Sequence, residues 1–191
     1  LAQHRQALRG KGFVELDQVH VLERQARATQ RQPGGGHRTD PHASGFDAGD
    51  EVVTLSLGSF AQKVAAVPEA TFRKPSGLTW EQAGAFPMNY LTALAGLQRR
   101  GRLREGETVL VHGAAGGTGT AAVQVAKALG ARVFGVVSSD VKEAAAHAAG
   151  ADEVFRSDGP WKDAVTEASG GGVDLVFDPV GGDRFTDSLR S

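Results

Sequence analysis

Val109-Leu110-Val111-His112-Gly113-Ala114-Ala115-Gly116-Gly117-Thr118-Gly119 decides the fold of this 191-residue chain. An apolar run enters the stretch, and a helical pattern over 118–129 leaves it. Glycines at 113, 116 and 119 recur every third residue between the two. A glycine cluster alone says little, but one between a strand and a helix is the context of a dinucleotide fingerprint. Gly113 permits a tight exit from the strand. Gly116 and Gly117 let backbone N–H groups approach a pyrophosphate with no Cβ in the way, and Gly119 lets the helix pack closely on a sheet. The helix start adds unpaired N–H groups and partial positive charge at the phosphates. Position 114 is Ala, which departs from G-x-G-x-x-G. No Gly-Lys-Ser/Thr follows, which disfavours a P-loop.

The same alternation continues downstream. The patterning predicts strands over 108–112, 132–137, 153–155 and 173–178. It predicts helices over 118–129, 140–149 and 160–168, with another beginning over 183–189. Strands alternating with helices imply a parallel sheet, so the fold class is α/β, a Rossmann-type doubly wound sheet. Only four strands are visible where six are expected, which makes the sheet incomplete.

Upstream the pattern is β-like. Asp47-Ala48-Gly49-Asp50 reads as a turn, and 51–57 and 59–68 read as strands joined by Gly58. Thr79 and Gln82 form a capping-box signature. It opens a short helix that Pro87 is expected to interrupt. A second helix over 88–100 carries Leu91, Leu94 and Leu97 on one face and stops at Gly101. Residues 1–45 carry seven basic and four acidic residues, four of the six histidines and the breaker Pro33-Gly34-Gly35-Gly36. A weak strand is expected within 13–22, and the stretch 25–44 reads as loop or disorder. The organisation is therefore an irregular segment over 1–45, a β segment over 46–78 and a nucleotide-binding domain over 79–191.

Composition narrows the function. Net charge is −1, so no electrostatic footprint for nucleic acid or an anionic membrane exists. The absence of cysteine excludes disulfides, thiolate catalysis and Cys-ligated zinc. No apolar run approaches a membrane span and no signal-peptide core opens the chain, so the cytoplasm is the default location. His37, His42 and Asp40 sit in a loop-like tract and read as solvated rather than as a metal site. His112 reads either as a proton relay or, more commonly, as a core histidine. No Gly-x-Ser-x-Gly elbow supports acyl transfer, and no residue stands out as catalytic.

The residues after the second strand of the alternating region bear on the cofactor. An acid there suits the ribose diol of NAD. Here Ser138 and Ser139 offer hydroxyls and Lys142 a cation, which suits a 2′-phosphate better. Arg156 is a candidate second cation, and Asp140 argues the other way.

From Gly45 onward the chain resembles the medium-chain dehydrogenase/reductase superfamily, in its zinc-free quinone oxidoreductase-like branch. The resemblance rests on Gly49-Asp50-Glu51-Val52-Val53, Phe86-Pro87-Met88-Asn89-Tyr90-Leu91-Thr92-Ala93 and the stretch 106–119. Ser138-Ser139-x-x-Lys142, Gly150-Ala151-Asp152 and Asp178-Pro179-Val180-Gly181-Gly182 complete it. It implies hydride transfer from NADPH, with NADH the lesser candidate and no zinc, to a small-molecule acceptor such as a quinone or an activated alkene or carbonyl. It also implies a GroES-like substrate domain, of which 46–78 is a remnant, and commonly a homodimer. Carried over residue by residue, Asn89 and Thr92 lie near the nicotinamide and ribose. Gly116, Gly117 and Thr118 hold the pyrophosphate, with Gly113 and Ala115 also cofactor-binding; Ser138, Ser139 and Lys142 hold the adenosine phosphate, and Val180 lies beside the nicotinamide half. Two departures stand out. Residues 1–44 look like a foreign or misread segment, and the stop at Ser191 leaves a truncated domain whose activity alone is in doubt. Two alternatives stay open: a non-catalytic nucleotide-binding module, and an enoyl-reductase unit of a larger lipid or polyketide synthase.

Overall fold

A computed structural model of the chain describes residues 14–16, 45–47, 49–56 and 64–191. The chain divides into two compact units, Leu1–Pro87 and Met88–Ser191. The loop expected over 25–44, the histidines within it and the Gly58 link lie outside the described residues.

In the first unit, strand β1 (Val14–Leu16) pairs antiparallel with β3 (Val64–Ala66). Strand β2 (Val52–Thr54) pairs antiparallel with β4 (Thr71–Arg73). The weak strand expected within 13–22 thus exists over 14–16. The sequence does not announce β4, and it, rather than β3, is the partner of β2. Thr71 fixes this pairing: its hydroxyl donates to the Val67 carbonyl at 2.8 Å and lies 3.1 Å from the Thr54 hydroxyl. The Asp47–Asp50 turn forms, with the Asp47 amide donating to the Asp50 carboxylate at 2.8 Å.

Helix α1 (Trp80–Leu94) starts with the expected capping box. The Thr79 amide donates to Gln82 Oε1 at 2.9 Å, and the Gln82 amide donates to Thr79 Oγ1 at 3.3 Å. Two expectations fail here. Pro87 does not interrupt the helix, which runs through it and continues as a π-helical turn over Ala95–Arg100. Of its leucine stripe the structure buries only Leu97. Leu91 and Leu94 are exposed, whereas Ala83, Pro87, Ala93 and Leu97 are buried. Burial of this small-residue face offsets the roughly 3 kcal/mol that an interior proline costs a helix. The π turn closes on wide bonds, with the Gly101 amide donating to the Gly96 carbonyl at 2.7 Å.

The second unit holds the α/β sheet. Its strands are β5 (Thr108–His112), β6 (Arg132–Val137), β7 (Glu153–Arg156) and β8 (Leu175–Phe177). They lie in the order β7-β6-β5-β8 and are parallel throughout. β5 and β6 are near-continuous apolar runs because both sheet faces are covered. Alternate residues supply the two cores. Val109, Val111, Val133 and Val137 pack with Ala121, Ala122 and Val123 of α2 (Gly117–Ala128) and Ala146 of α3 (Asp140–Ala149). Leu110, Phe134 and Val136 pack with Trp161 and Val165 of α4 (Trp161–Ser169). Each buried Val, Leu or Phe among them contributes roughly 1.5–3 kcal/mol. A short helix, α5 (Phe185–Ser188), follows β8. The α/β fold class with a Rossmann-type parallel sheet, read from the sequence, is the fold observed. Among the described residues no helix is long and apolar enough to cross a membrane.

Candidate functional site

The chain runs β5, β6, β7 outward on one side of β5 and then returns to place β8 on the other. The loops leaving β5 and its neighbours therefore diverge at the C-terminal edge, where open α/β sheets form a binding crevice. A cavity of about 450 Å³ opens there. Its floor is the turn that joins β5 to α2.

Gly113 enters that turn at φ +62°, a left-handed conformation that favours glycine. A Cβ at Gly119 would fall on the Gly113 carbonyl oxygen and lie 2.9 Å from Ala114 Cα. Gly119 is thus required by helix-on-strand contact. The Gly116 amide is consumed inside the turn, donating to the Gly113 carbonyl at 2.9 Å. The first bond of α2 is that of the Thr120 amide to the Gly116 carbonyl, 2.7 Å. The amides of Gly117, Thr118 and Gly119 precede it and have no acceptor among the described residues. Three donors and the positive end of α2 thus face a cavity that their own residues line.

The cavity gathers most of the residues singled out by sequence. Gly113, Ala115, Gly116, Gly117 and Thr118 line it, as do Ser138, Lys142 and Val180. Lys142 Nζ donates to Ser138 Oγ at 2.9 Å, which holds both beyond the end of β6. Val180 is exposed, and its Cγ2 lies 3.0 Å from where a Cβ on Gly113 would stand. The Asp178 carboxylate shapes this loop by accepting the Val180 and Gly181 amides, each at 2.9 Å.

Three residues stand outside the lining. Ser139 is the N-cap of α3, yet its hydroxyl makes no capping bond. Asn89 stands behind the turn: Thr118 Oγ1 donates to its Oδ1 at 3.0 Å, and it touches the Cβ position of Gly117. Thr92 turns its hydroxyl into its own helix, donating to the Met88 carbonyl at 2.6 Å. Arg156 is not a spare cation, because its guanidinium pairs with Asp140 and, at 2.9 Å, with Asp158. The same pair takes up Asp140, the acid that argues for a ribose diol.

Sequence reading missed Ser157 and Arg184, which also line the cavity. Ser157 follows β7 as Ser138 follows β6, so its strand-end position was a usable signal. Nothing local marks Arg184. His112 is fully buried and stays out of the cavity. Its Nε2 lies 2.8 Å from Ser188 Oγ, and its ring packs edge-on to Trp161 at 4.9 Å. Burial pushes its pKa down, the Asp178 carboxylate pushes it up, and Arg184 adds to the lowering. His112 Nδ1 and Asp178 Oδ2 are buried without a partner among the described residues.

The family model described as zinc-binding dehydrogenase matches residues 117–191. Quinone oxidoreductase-like protein 2 of Rattus norvegicus is 40% identical over 147 residues, covering 75% of this chain and 42% of that protein. Among solved structures, a probable oxidoreductase from Mycobacterium abscessus is 43% identical, with TM-score 0.73 over 80% of this chain and 49% of its own. The chain belongs to the medium-chain dehydrogenase/reductase superfamily, in its quinone oxidoreductase-like branch.

Other superfamily relatives widen the picture. The quinone oxidoreductase of Thermus thermophilus, solved also in complex with NADPH, is 41% identical with TM-score 0.63, covering 68% of this chain and 43% of its own. The CurK enoyl reductase is 32% identical with TM-score 0.72, covering 76% and 46%. The spectinabilin polyketide synthase system protein NorB of Streptomyces orinoci is 37% identical over 194 residues, 98% of this chain and 9% of NorB. That alignment takes in nearly all of residues 1–44. The chain spans less than half the length of the curated relatives it matches.

Proposed function

We propose that this chain is the cofactor-holding part of an NADPH-dependent oxidoreductase that delivers hydride to a quinone or to an activated alkene or carbonyl. The observation that carries the reading is the cavity in which three unpaired amides, at Gly117, Thr118 and Gly119, open beside Ser138 and Lys142. A dinucleotide phosphate fits this donor set. The amides and the α2 dipole receive the pyrophosphate. Lys142 and Ser138 receive the 2′-phosphate, and the engagement of Asp140 by Arg156 removes the acid that a bare ribose would use. Asn89 orients Thr118 from behind. Ser139, Thr92 and Val180 belong to the same reading, with Val180 beside the nicotinamide half. When bound, the cofactor supplies the hydride; the protein binds, orients and excludes water. The reading is zinc-independent and cytoplasmic, with a small-molecule acceptor, a homodimer, and neither nucleic acid nor membrane as partner. Residues 46–78 then belong to a GroES-like substrate domain.

Calorimetric titration of the folded chain with NADPH and NADH tests this. NADPH is expected to bind about 10-fold or more tightly than NADH, since a charge-assisted phosphate contact is worth roughly 1.5–3 kcal/mol. Binding of neither, or tighter binding of NADH, contradicts it.

The alignment to NorB and the likeness to CurK favour a second reading, an enoyl-reductase unit within a larger synthase. The acceptor is then an α,β-unsaturated thioester. Comparing turnover of crotonyl thioesters and quinones by the protein that carries this chain separates the two.

A further inference from the structure

The cavity carries a cation that the sequence motifs do not single out. Arg184 follows β8, is half-buried, and lines the cavity with the glycine turn. Lys127, Arg132, Arg156 and Lys162 of the same unit each stand within 4 Å of a carboxylate. Among the described side chains, Arg184 has no carboxylate within that distance and no acceptor for its guanidinium. A half-buried guanidinium that no described carboxylate pairs is open to an anionic ligand, which would lower the cost of its burial.

Its segment is fixed from below. The Ser188 hydroxyl donates to the Arg184 carbonyl at 2.9 Å, and the Ser188 hydroxyl oxygen lies 2.8 Å from His112 Nε2. With its proton given to Arg184, Ser188 Oγ accepts the Nε2–H of His112. His112 immediately precedes Gly113, so Arg184 is tied to the root of the turn. Its charge is close enough to help lower the His112 pKa. Lys142 reaches the cavity from the opposite side, since β6 and β8 flank β5. Neighbouring strands are about 4.8 Å apart, so the two sides are separated by roughly 10 Å. That spacing gives a dinucleotide phosphate two distinct anionic positions.

We infer that Arg184 clamps the cofactor pyrophosphate from the β8 side, while Lys142 reads the 2′-phosphate from the β6 side. The guanidinium fork suits two phosphate oxygens at once. His112 and Ser188 are positioning residues that hold Arg184 in place. The inference rests on the dinucleotide reading above and assigns each charge to one phosphate.

Calorimetric titration with NADPH and with NADH of the wild-type chain, Arg184→Gln and Lys142→Ala tests it. Arg184→Gln is expected to weaken both ligands by a similar factor, roughly 10- to 100-fold. Lys142→Ala is expected to weaken NADPH and leave NADH within about 2-fold. Arg184→Met, which keeps the aliphatic stem, gives the same test should the glutamine variant not fold, with circular dichroism as the check. Unchanged binding of both ligands to the folded Arg184 variant overturns the inference, and so does a loss confined to NADPH. Failure of the wild-type chain to bind either ligand sinks the dinucleotide reading instead, so the two failures are distinguishable.

Discussion

A methyl group added at Gly119 lands on the Gly113 carbonyl oxygen, backbone against backbone, with no flexible side chain to give way. A methyl at Gly116 meets the same oxygen at 3.3 Å, in an extended conformation (φ −81°) that any residue adopts. The two glycines therefore fail differently. Gly119→Ala is expected to lower stability by about 3 kcal/mol or more, as overpacking of a rigid contact does, read as a shifted urea midpoint. Gly116→Ala is expected to cost less than about 1.5 kcal/mol. It is nevertheless expected to weaken NADPH binding about 10-fold, because Gly116 lines the cavity and its Cβ would crowd the cradle. Equal stability losses would mean that the turn is not shaped by the Gly113–Gly119 contact. The residue types of this turn were legible from spacing alone. The Gly116 amide, spent inside the turn, was not, because its acceptor depends on the left-handed bend at Gly113.

The elements that sequence reading placed best are those punctuated at both ends. β5, β6 and α3 have the bounds expected of them, bracketed by Gly113, Gly130, Ser139 and Gly150. Gly150, at φ +110°, ends α3 as a left-handed cap. The capping box at Thr79 was equally legible because both of its bonds are local, and Thr79→Ala is expected to cost about 1 kcal/mol. In a two-state melt of this chain that is a fall in Tm of about 2–4 °C, and an unchanged Tm would contradict the role of the cap. Structure and expectation part where long-range contacts outweigh a local rule. Pro87 is a breaker by local rule, yet the helix persists because Pro87 is itself buried. Leu91, Leu94 and Leu97 have the spacing of a core face, but only Leu97 is buried, together with Ala93, while Leu91 and Leu94 are exposed. β4 is three residues long and held by Thr71, too short for alternation to register. Arg184 reaches the cavity only through strand order, which periodicity does not reveal.

On the scale of the whole molecule, pH sets a stability signature. His112 is buried at the end of β5 with its pKa held down, chiefly by burial. The unfolded chain takes up this proton near pH 6.5 while the folded chain resists it. The stability involved is full above pH 6.5 and is lost as pH falls through the window below it. Asp50 and Asp152 have lowered pKa values, so their contributions fade only below the ordinary carboxylate range. The melting temperature is therefore expected to fall between pH 7 and pH 5.5, and His112→Asn to flatten that fall; an equal slope in the variant would show that His112 is not responsible. The same burial keeps His112 out of the cavity, leaving the cradle to backbone amides rather than to a titrating side chain. The proposed cofactor binding depends most on that cradle. Amide chemical shifts of the isotope-labelled chain, followed by NMR during titration with NADPH, test it most directly. The largest shifts are expected on Gly117, Thr118 and Gly119, with Arg184 and Lys142 next. Saturable binding that leaves those three amides unmoved would contradict it.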